Sequence, residues 1–117
     1  MSKRIAVLVS GGGTNLQALI DAQARGELVN GEIAAVISSN PGAYALERAA
    51  KAGIPGYVVA RKDYSSAQAF TAALVDKLRT LGIDLVVLAG FMVILTSEMV
   101  RAFPNAILNV HPALIPS

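Results

Sequence analysis

The sequence predicts an α/β protein built on a doubly wound, Rossmann-like parallel sheet with helices on both faces. Three observations carry that expectation. Short apolar runs rich in β-branched residues alternate with segments of helical periodicity along the 117 residues. The connections between them are short. Apolar residues make up 54% of the chain, not counting its 10 glycines. An average globular chain reaches about 45–50% with glycine included. Strands buried on both faces, as in parallel sheets, account for such an excess. So would a part of a larger body whose inner surface is bare.

In chain order, RIAVLVS (4–10) reads as a buried strand and GGG follows it. TNLQALIDAQARG (14–26) places Leu16, Leu19 and Ile20 at helical spacing, with Gly26 as the stop. EIAAVISSN (32–40) is a second strand closed by the turn signal NPG. AYALERAAKAG (43–53) is a helix stopped by Gly53, and GYVVA (56–60) is a short third strand. SSAQAFTAALVDKLRTLG (65–82) is a long helix with a serine N-cap and Gly82 at its end. DLVVLAG (84–90) is the fourth strand, FMVIL (91–95) an apolar loop, and TSEMVRAF (96–103) a short helix with a Thr or Ser cap. AILNV (106–110) is the fifth strand, and HPALIPS (111–117) leaves it.

This alternation with short links implies right-handed crossovers. The expected strand order is 3-2-1-4-5, with the switch point between strands 1 and 4. Ligands of such sheets bind beyond the carboxyl ends of the strands. Three unusual segments fall there: SGGGTN (10–15), AGFMVIL (89–95) and NVHP (109–112). No repeat, linker or low-complexity stretch interrupts the pattern, so residues 1–117 read as one domain.

The composition excludes several classes of function. The net charge is +2, from 10 basic and 8 acidic residues, and no basic run suggests a nucleic-acid partner. No cysteine is present, so disulfides and thiolate chemistry are excluded, and a single histidine leaves little for a metal. No apolar window approaches membrane-spanning length, and the N-terminal run is too short for a signal sequence. The expectation is a cytoplasmic protein without metal, nucleic-acid or membrane partners.

Gly11, Gly12 and Gly13, followed by Thr14 and Asn15, run from the first strand into the first helix. Glycines there let the backbone approach a ligand, and a helix N-terminus offers free amides and a positive dipole end, which favour phosphate. A tight turn capped by Thr14 or Asn15 is the plainer alternative. The loop is not a dinucleotide fingerprint, because Leu16 stands where its third glycine would fall and ISSN replaces the acidic end of strand 2. It is not a Walker A loop, because the Lys-Ser/Thr pair is missing. A simple phosphate monoester, such as a sugar phosphate, is the remaining ligand. Asn109 and His111 lie two apart at a strand end, so alternation puts both on one face. A lone histidine is more often an inert hydrogen-bonded cap; its place at the ligand end of the sheet beside Asn109 favours function.

SGGGTNLQALI, LAGFMVIL and ILNVHPALIPS together closely resemble the folate-dependent phosphoribosylglycinamide formyltransferases (glycinamide ribonucleotide transformylases) of purine biosynthesis. NVHPALIPS is shared with methionyl-tRNA formyltransferase and formyltetrahydrofolate deformylase; GGGTNLQ separates them, because it matches the loop that holds the phosphate of glycinamide ribonucleotide. The resemblance implies formyl transfer from 10-formyltetrahydrofolate, as cosubstrate, to the amine of that nucleotide. It implies that Gly12, Gly13, Thr14 and Asn15 bind the substrate phosphate. It implies that Met92, Val93, Ile94 and Leu95 line the folate pterin pocket, with Leu88 in its apolar wall. Asn109 would hold the formyl oxygen beside the folate, and His111 would act as the acid–base or oxyanion-stabilising group. Such a pair suits acyl transfer to an amine, which passes through a tetrahedral species with a developing oxyanion.

Two positions depart from the family pattern. Val93 and Ala67 stand where arginines near the glutamyl tail of the folate are often found. In the family a catalytic Asp follows the histidine motif by some tens of residues. The chain is therefore expected to be the N-terminal nucleotide-binding part of the enzyme, poorly active alone, with an exposed edge at the fifth strand that invites homo-oligomers.

Overall fold

A computed structural model describes residues 3–28 and 30–110 of the chain. Five parallel strands form one sheet: β1 (Lys3–Val9), β2 (Gly31–Ser38), β3 (Gly56–Val58), β4 (Leu85–Ala89) and β5 (Ile107–Val110). Their spatial order is β3-β2-β1-β4-β5, as expected. Four helices connect them: α1 (Thr14–Ala24), α2 (Ala45–Lys51), α3 (Ala67–Thr80) and α4 (Ser97–Ala102). A 3-10 turn at Arg61–Asp63, which no sequence signal announced, follows β3. β3 is shorter than the run GYVVA suggests, although Val59 still donates its amide to Ser38 O at 3.0 Å.

The period-two alternation of β1 divides the core into two layers. Ile5, Val7 and Val9 pack with Leu16 and Ile20 of α1 and Ala45 and Ala49 of α2. Ala6 and Leu8 pack with Phe70, Leu74, Val75 and Leu78 of α3 and Met99 of α4. Both faces of the strand are thus buried, which is why its sequence is continuously apolar rather than alternating. The register of β1 against β2 slips between Ile5 and Ala6. Beside that slip, Gln23 Oε1 on α1 accepts the Ile33 amide at 2.6 Å.

The helix stops follow the sequence closely. After α1, α2 and α3 the chain turns through Gly26, Gly53 and Gly82 at φ 76°, 74° and 68°. In each case the next amide reaches back to the third-last helical carbonyl: Glu27 to Ala22, Ile54 to Ala49 and Ile83 to Leu78. The glycine amides add a second bond each, Gly26 to Gln23 O, Gly53 to Ala50 O and Gly82 to Arg79 O, and the pairs satisfy carbonyls that the helix end would leave bare. At its start, α3 is capped by Ser66, whose Oγ accepts the Ala69 amide at 3.0 Å. Thr96 occupies the N-cap of α4 without a side-chain cap bond.

Opposite the carboxyl ends, Arg4 ties the strands to α3. Its guanidinium donates twice to Leu81 O, at 3.2 and 3.0 Å, and its backbone amide donates to Asp84 Oδ2 at 2.9 Å. These contacts lie at the amino ends of β1 and β4.

Candidate functional site

A cleft of about 480 Å³ opens at the carboxyl ends of β1, β4 and β5. It is lined by the chain from Ser10 to Asn15, by Ala89 to Met92, and by Asn109 and Val110. Each of the three segments that the sequence marks as unusual contributes described residues to it: the whole of 10–15, the first four residues of 89–95, and Asn109 with Val110. They do so because β1 and β4 are neighbours whose following connections leave to opposite faces of the sheet.

The glycine loop is held from behind. Gly11 O accepts the Ala45 amide at 3.1 Å, Gly12 O accepts Arg48 Nε at 2.8 Å, and Gly13 O accepts the Gln17 amide at 2.8 Å. In a planar trans peptide the carbonyl of one residue and the amide of the next point in opposite directions. With the carbonyls turned to α2 and down the axis of α1, the amides of Gly12, Gly13 and Thr14 face away from them. Among the described residues none of these amides has a hydrogen-bond acceptor. The N-cap of α1 is Gly13 itself, at φ 83°, with no side-chain cap bond; Thr14 is the first helical residue. A Cβ on Gly13 would lie 2.7 Å from Ala45 Cβ, whereas one on Gly11 or Gly12 would meet nothing within 4 Å. Gly13 is therefore needed by the fold, whereas the other two, which line the cleft, have open space where a side chain would begin.

The 91–95 loop is anchored at three points. Phe91 stacks on Phe70 of α3 with ring centroids 6.4 Å apart. The Met92 amide donates to Ser10 Oγ at 3.0 Å, and the Thr96 amide donates to Thr71 Oγ1 at 3.1 Å. Ser10 Oγ also shares a 2.8 Å hydrogen bond with Ser39 Oγ at the end of β2. Ser10 thus joins the glycine loop, the 91–95 loop and the β2 end. The sequence showed Ser10 only as the first letter of SGGGTN, and no periodicity could pair it with a residue 82 positions away. Arg48 was missed for the same reason: it sits on α2, outside every motif.

Of the residues singled out in the sequence, Gly12, Gly13, Thr14, Asn15, Met92 and Asn109 line the cleft together. Leu88 is half-buried and faces the α3/α4 layer, where Val93 and Leu95 also pack. Ile94 is 79% and Met92 86% exposed. The four hydrophobic residues Leu88, Val93, Ile94 and Leu95 are not among those that line the cleft. Asn109 is exposed on β5, in register with Leu88 of β4. His111 lies outside the described residues. The polar end of β2 is engaged in its own turn: Ser38 Oγ donates to Asn40 O and accepts the Asn40 amide, at 2.6 and 3.0 Å. Among the described residues no group of three His, Cys, Asp or Glu side chains could hold a metal, and no helix is long and apolar enough to cross a membrane.

Fold and cleft define a Rossmann-like α/β protein whose glycine loop faces a ligand cleft at the switch point. The family model for formyl transferase matches residues 3–117, and the chain belongs to that family. It is 48% identical over 114 residues to the phosphoribosylglycinamide formyltransferase of Haemophilus influenzae, covering 97% of this chain and 53% of that protein. It is 44% identical over 117 residues to the trifunctional purine biosynthetic protein adenosine-3 of Drosophila melanogaster, covering 97% of this chain and 8% of that protein. Among solved structures, glycinamide ribonucleotide transformylase 1 from Symbiobacterium toebii superposes with a TM-score of 0.89 at 47% identity, covering 99% of this chain and 54% of that one. The chain spans about half the length of these bacterial relatives and a small part of the trifunctional one.

Proposed function

We propose that this chain is the N-terminal nucleotide-binding part of a phosphoribosylglycinamide formyltransferase, which moves a formyl group from 10-formyltetrahydrofolate to the amine of glycinamide ribonucleotide. The observation that carries the reading is the set of three amides, Gly12 to Thr14, that have no acceptor among the described residues and are turned from their tethered carbonyls at the switch-point cleft. Such a nest suits the phosphate monoester of the nucleotide. Asn15 would complete that site. The 91–95 loop would supply backbone groups and apolar walls to the folate, with Met92 nearest the phosphate loop and Leu88, Val93, Ile94 and Leu95 behind it. Asn109 would donate its amide to the formyl oxygen, and His111 would move the proton released by the attacking amine.

In this mechanism the chain contributes positioning and one oxyanion donor. Holding two substrates together can account for about 7–11 kcal/mol of a bimolecular barrier. A single acid–base group contributes about 10²–10⁴-fold. The carboxylate that the resemblance places further along would orient His111 and stabilise its charged form. The test is formation of formylglycinamide ribonucleotide by this chain alone and mixed with the C-terminal half of a relative. Activity that appears in the mixture and disappears with His111→Ala is the expected result. Turnover by the chain alone at the level of a full-length relative would refute the division of roles. Formylation of a different amine acceptor would refute the choice of substrate.

A further inference from the structure

We infer that Arg48 of α2 is a positioning residue for phosphate recognition: it touches no ligand, but sets the direction in which the glycine loop presents its amides. The inference rests on the phosphate reading above and assigns to it a residue outside every sequence motif.

The loop has three carbonyls that must turn away from the cleft for the following amides to face it. Two are held by backbone amides, Gly11 O by Ala45 and Gly13 O by Gln17. The third, Gly12 O, is held by a side chain, Arg48 Nε at 2.8 Å. The Gly12–Gly13 peptide joins two glycines, and its carbonyl is the one of the three whose donor is a side chain rather than a backbone amide. Gly13, at φ 83°, can adopt more than one backbone state. Without an external donor on Gly12 O this peptide can flip and turn its carbonyl, rather than the Gly13 amide, toward the anion.

Arg48 is itself held on three sides. Its Nη1 donates to Gln17 Oε1 at 3.2 Å, and Gln17 in turn donates to Asp21 Oδ1 at 2.9 Å. Its guanidinium carbon lies 5.1 Å from the Tyr44 ring centroid, within cation–π range. Its Cδ approaches the position a Gly13 Cβ would take, at 3.2 Å, so the stem packs under the loop. A guanidinium so fixed does double duty. It offers a charge-assisted hydrogen bond to a neutral carbonyl and places a permanent cation behind the anion site.

The experiment titrates inorganic phosphate and ribose 5-phosphate into the full chain, following the Gly13, Thr14 and Met92 amides by NMR, with melting curves alongside. Arg48→Gln is expected to weaken phosphate binding about tenfold or more, the scale of one charge-assisted hydrogen bond. It should shift the Gly13 amide in the free protein while leaving that of Met92 in place. Arg48→Lys, which keeps a cation and one donor for Gly12 O, is expected to recover part of the affinity. If Arg48→Gln does not fold, Arg48→Lys and Gln17→Ala carry the test, each with an intermediate loss of affinity expected. Wild-type affinity in the folded variants, with an unshifted Gly13 amide, would overturn the inference while leaving the phosphate site standing. No response of Gly12 to Asn15 to either ligand in the wild type would overturn the phosphate reading and this inference with it.

Discussion

Gly12 and Gly13 are adjacent and chemically identical, yet the structure asks different things of them. A methyl group on Gly13 would meet Ala45 at 2.7 Å in a backbone state, φ 83°, that side chains rarely adopt. Gly13→Ala is therefore expected to destabilise the protein by about 2–4 kcal/mol, from backbone strain plus overpacking. Gly12 lines the cleft and a methyl there would meet nothing within 4 Å, so Gly12→Ala should change stability by less than about 0.5 kcal/mol. It should nevertheless abolish phosphate binding by filling the space a ligand needs. Denaturant melts paired with phosphate titration separate the two; equal stability of both variants would refute this account of the loop. Ser10 poses a similar question. Its hydroxyl accepts the Met92 amide, so Ser10→Ala is expected to cost about 1–2 kcal/mol and to speed hydrogen exchange at Met92. Unchanged protection of that amide would show that the Ser10 bond is not one of the anchors, leaving Phe91 and the Thr96–Thr71 bond to hold the loop.

At the scale of elements, α3 is the piece that carries site geometry without entering the site. Its Phe70 is fully buried and meets Tyr64 edge-on at 6.0 Å as well as Phe91. Its Thr71, also fully buried, donates to Ala67 O at 2.8 Å and accepts the Thr96 amide. The 91–95 loop is thus slung between two neighbouring residues of one helix. Thr71→Val conserves volume but leaves the Thr96 amide without its acceptor. The expected cost is about 1–3 kcal/mol, with the largest backbone shifts from Met92 to Thr96. A loss of stability spread evenly over the molecule, with that loop unmoved, would argue against the sling. The helix was legible in advance because Ser66, the apolar spacing and Gly82 all mark it. Its tether to the loop was not, because the Thr71 hydroxyl lies at a core position where side-chain size alone would predict valine.

For the whole molecule, the open feature is the outer edge of the sheet. Among the described residues β5 pairs only with β4, and Leu108 on it is 55% exposed. Val100 of α4 and Met92 and Ile94 of the loop before it, all in the connection between β4 and β5, are exposed as well. A strand edge without proline or charge is a template for another chain. The chain is expected to self-associate with rising concentration, and Leu108→Lys to suppress this by charging the edge. Sedimentation velocity over a concentration series checks both. A monomer throughout in the wild type, or association indifferent to Leu108→Lys, would remove the edge from consideration.

Strand order, helix ends and the location of the cleft were legible in the 117 letters because each follows from local rules. Apolar runs and glycine stops are read within one turn or one strand. Right-handed crossovers then leave little freedom in assembling them. The motifs GGGTN and FMVIL and the residue Asn109 could be placed at one edge by the same logic. What remained hidden were contacts between residues far apart in sequence: Ser10 with Ser39 and Met92, Arg48 with Gly12, and Thr71 with Thr96. Each is a single hydrogen bond whose two ends lie on different elements, and no periodicity encodes such a pair. The separate duties of Gly12 and Gly13 were hidden likewise. They arise only when α2 packs its Ala45 against one of them and leaves the other facing open space.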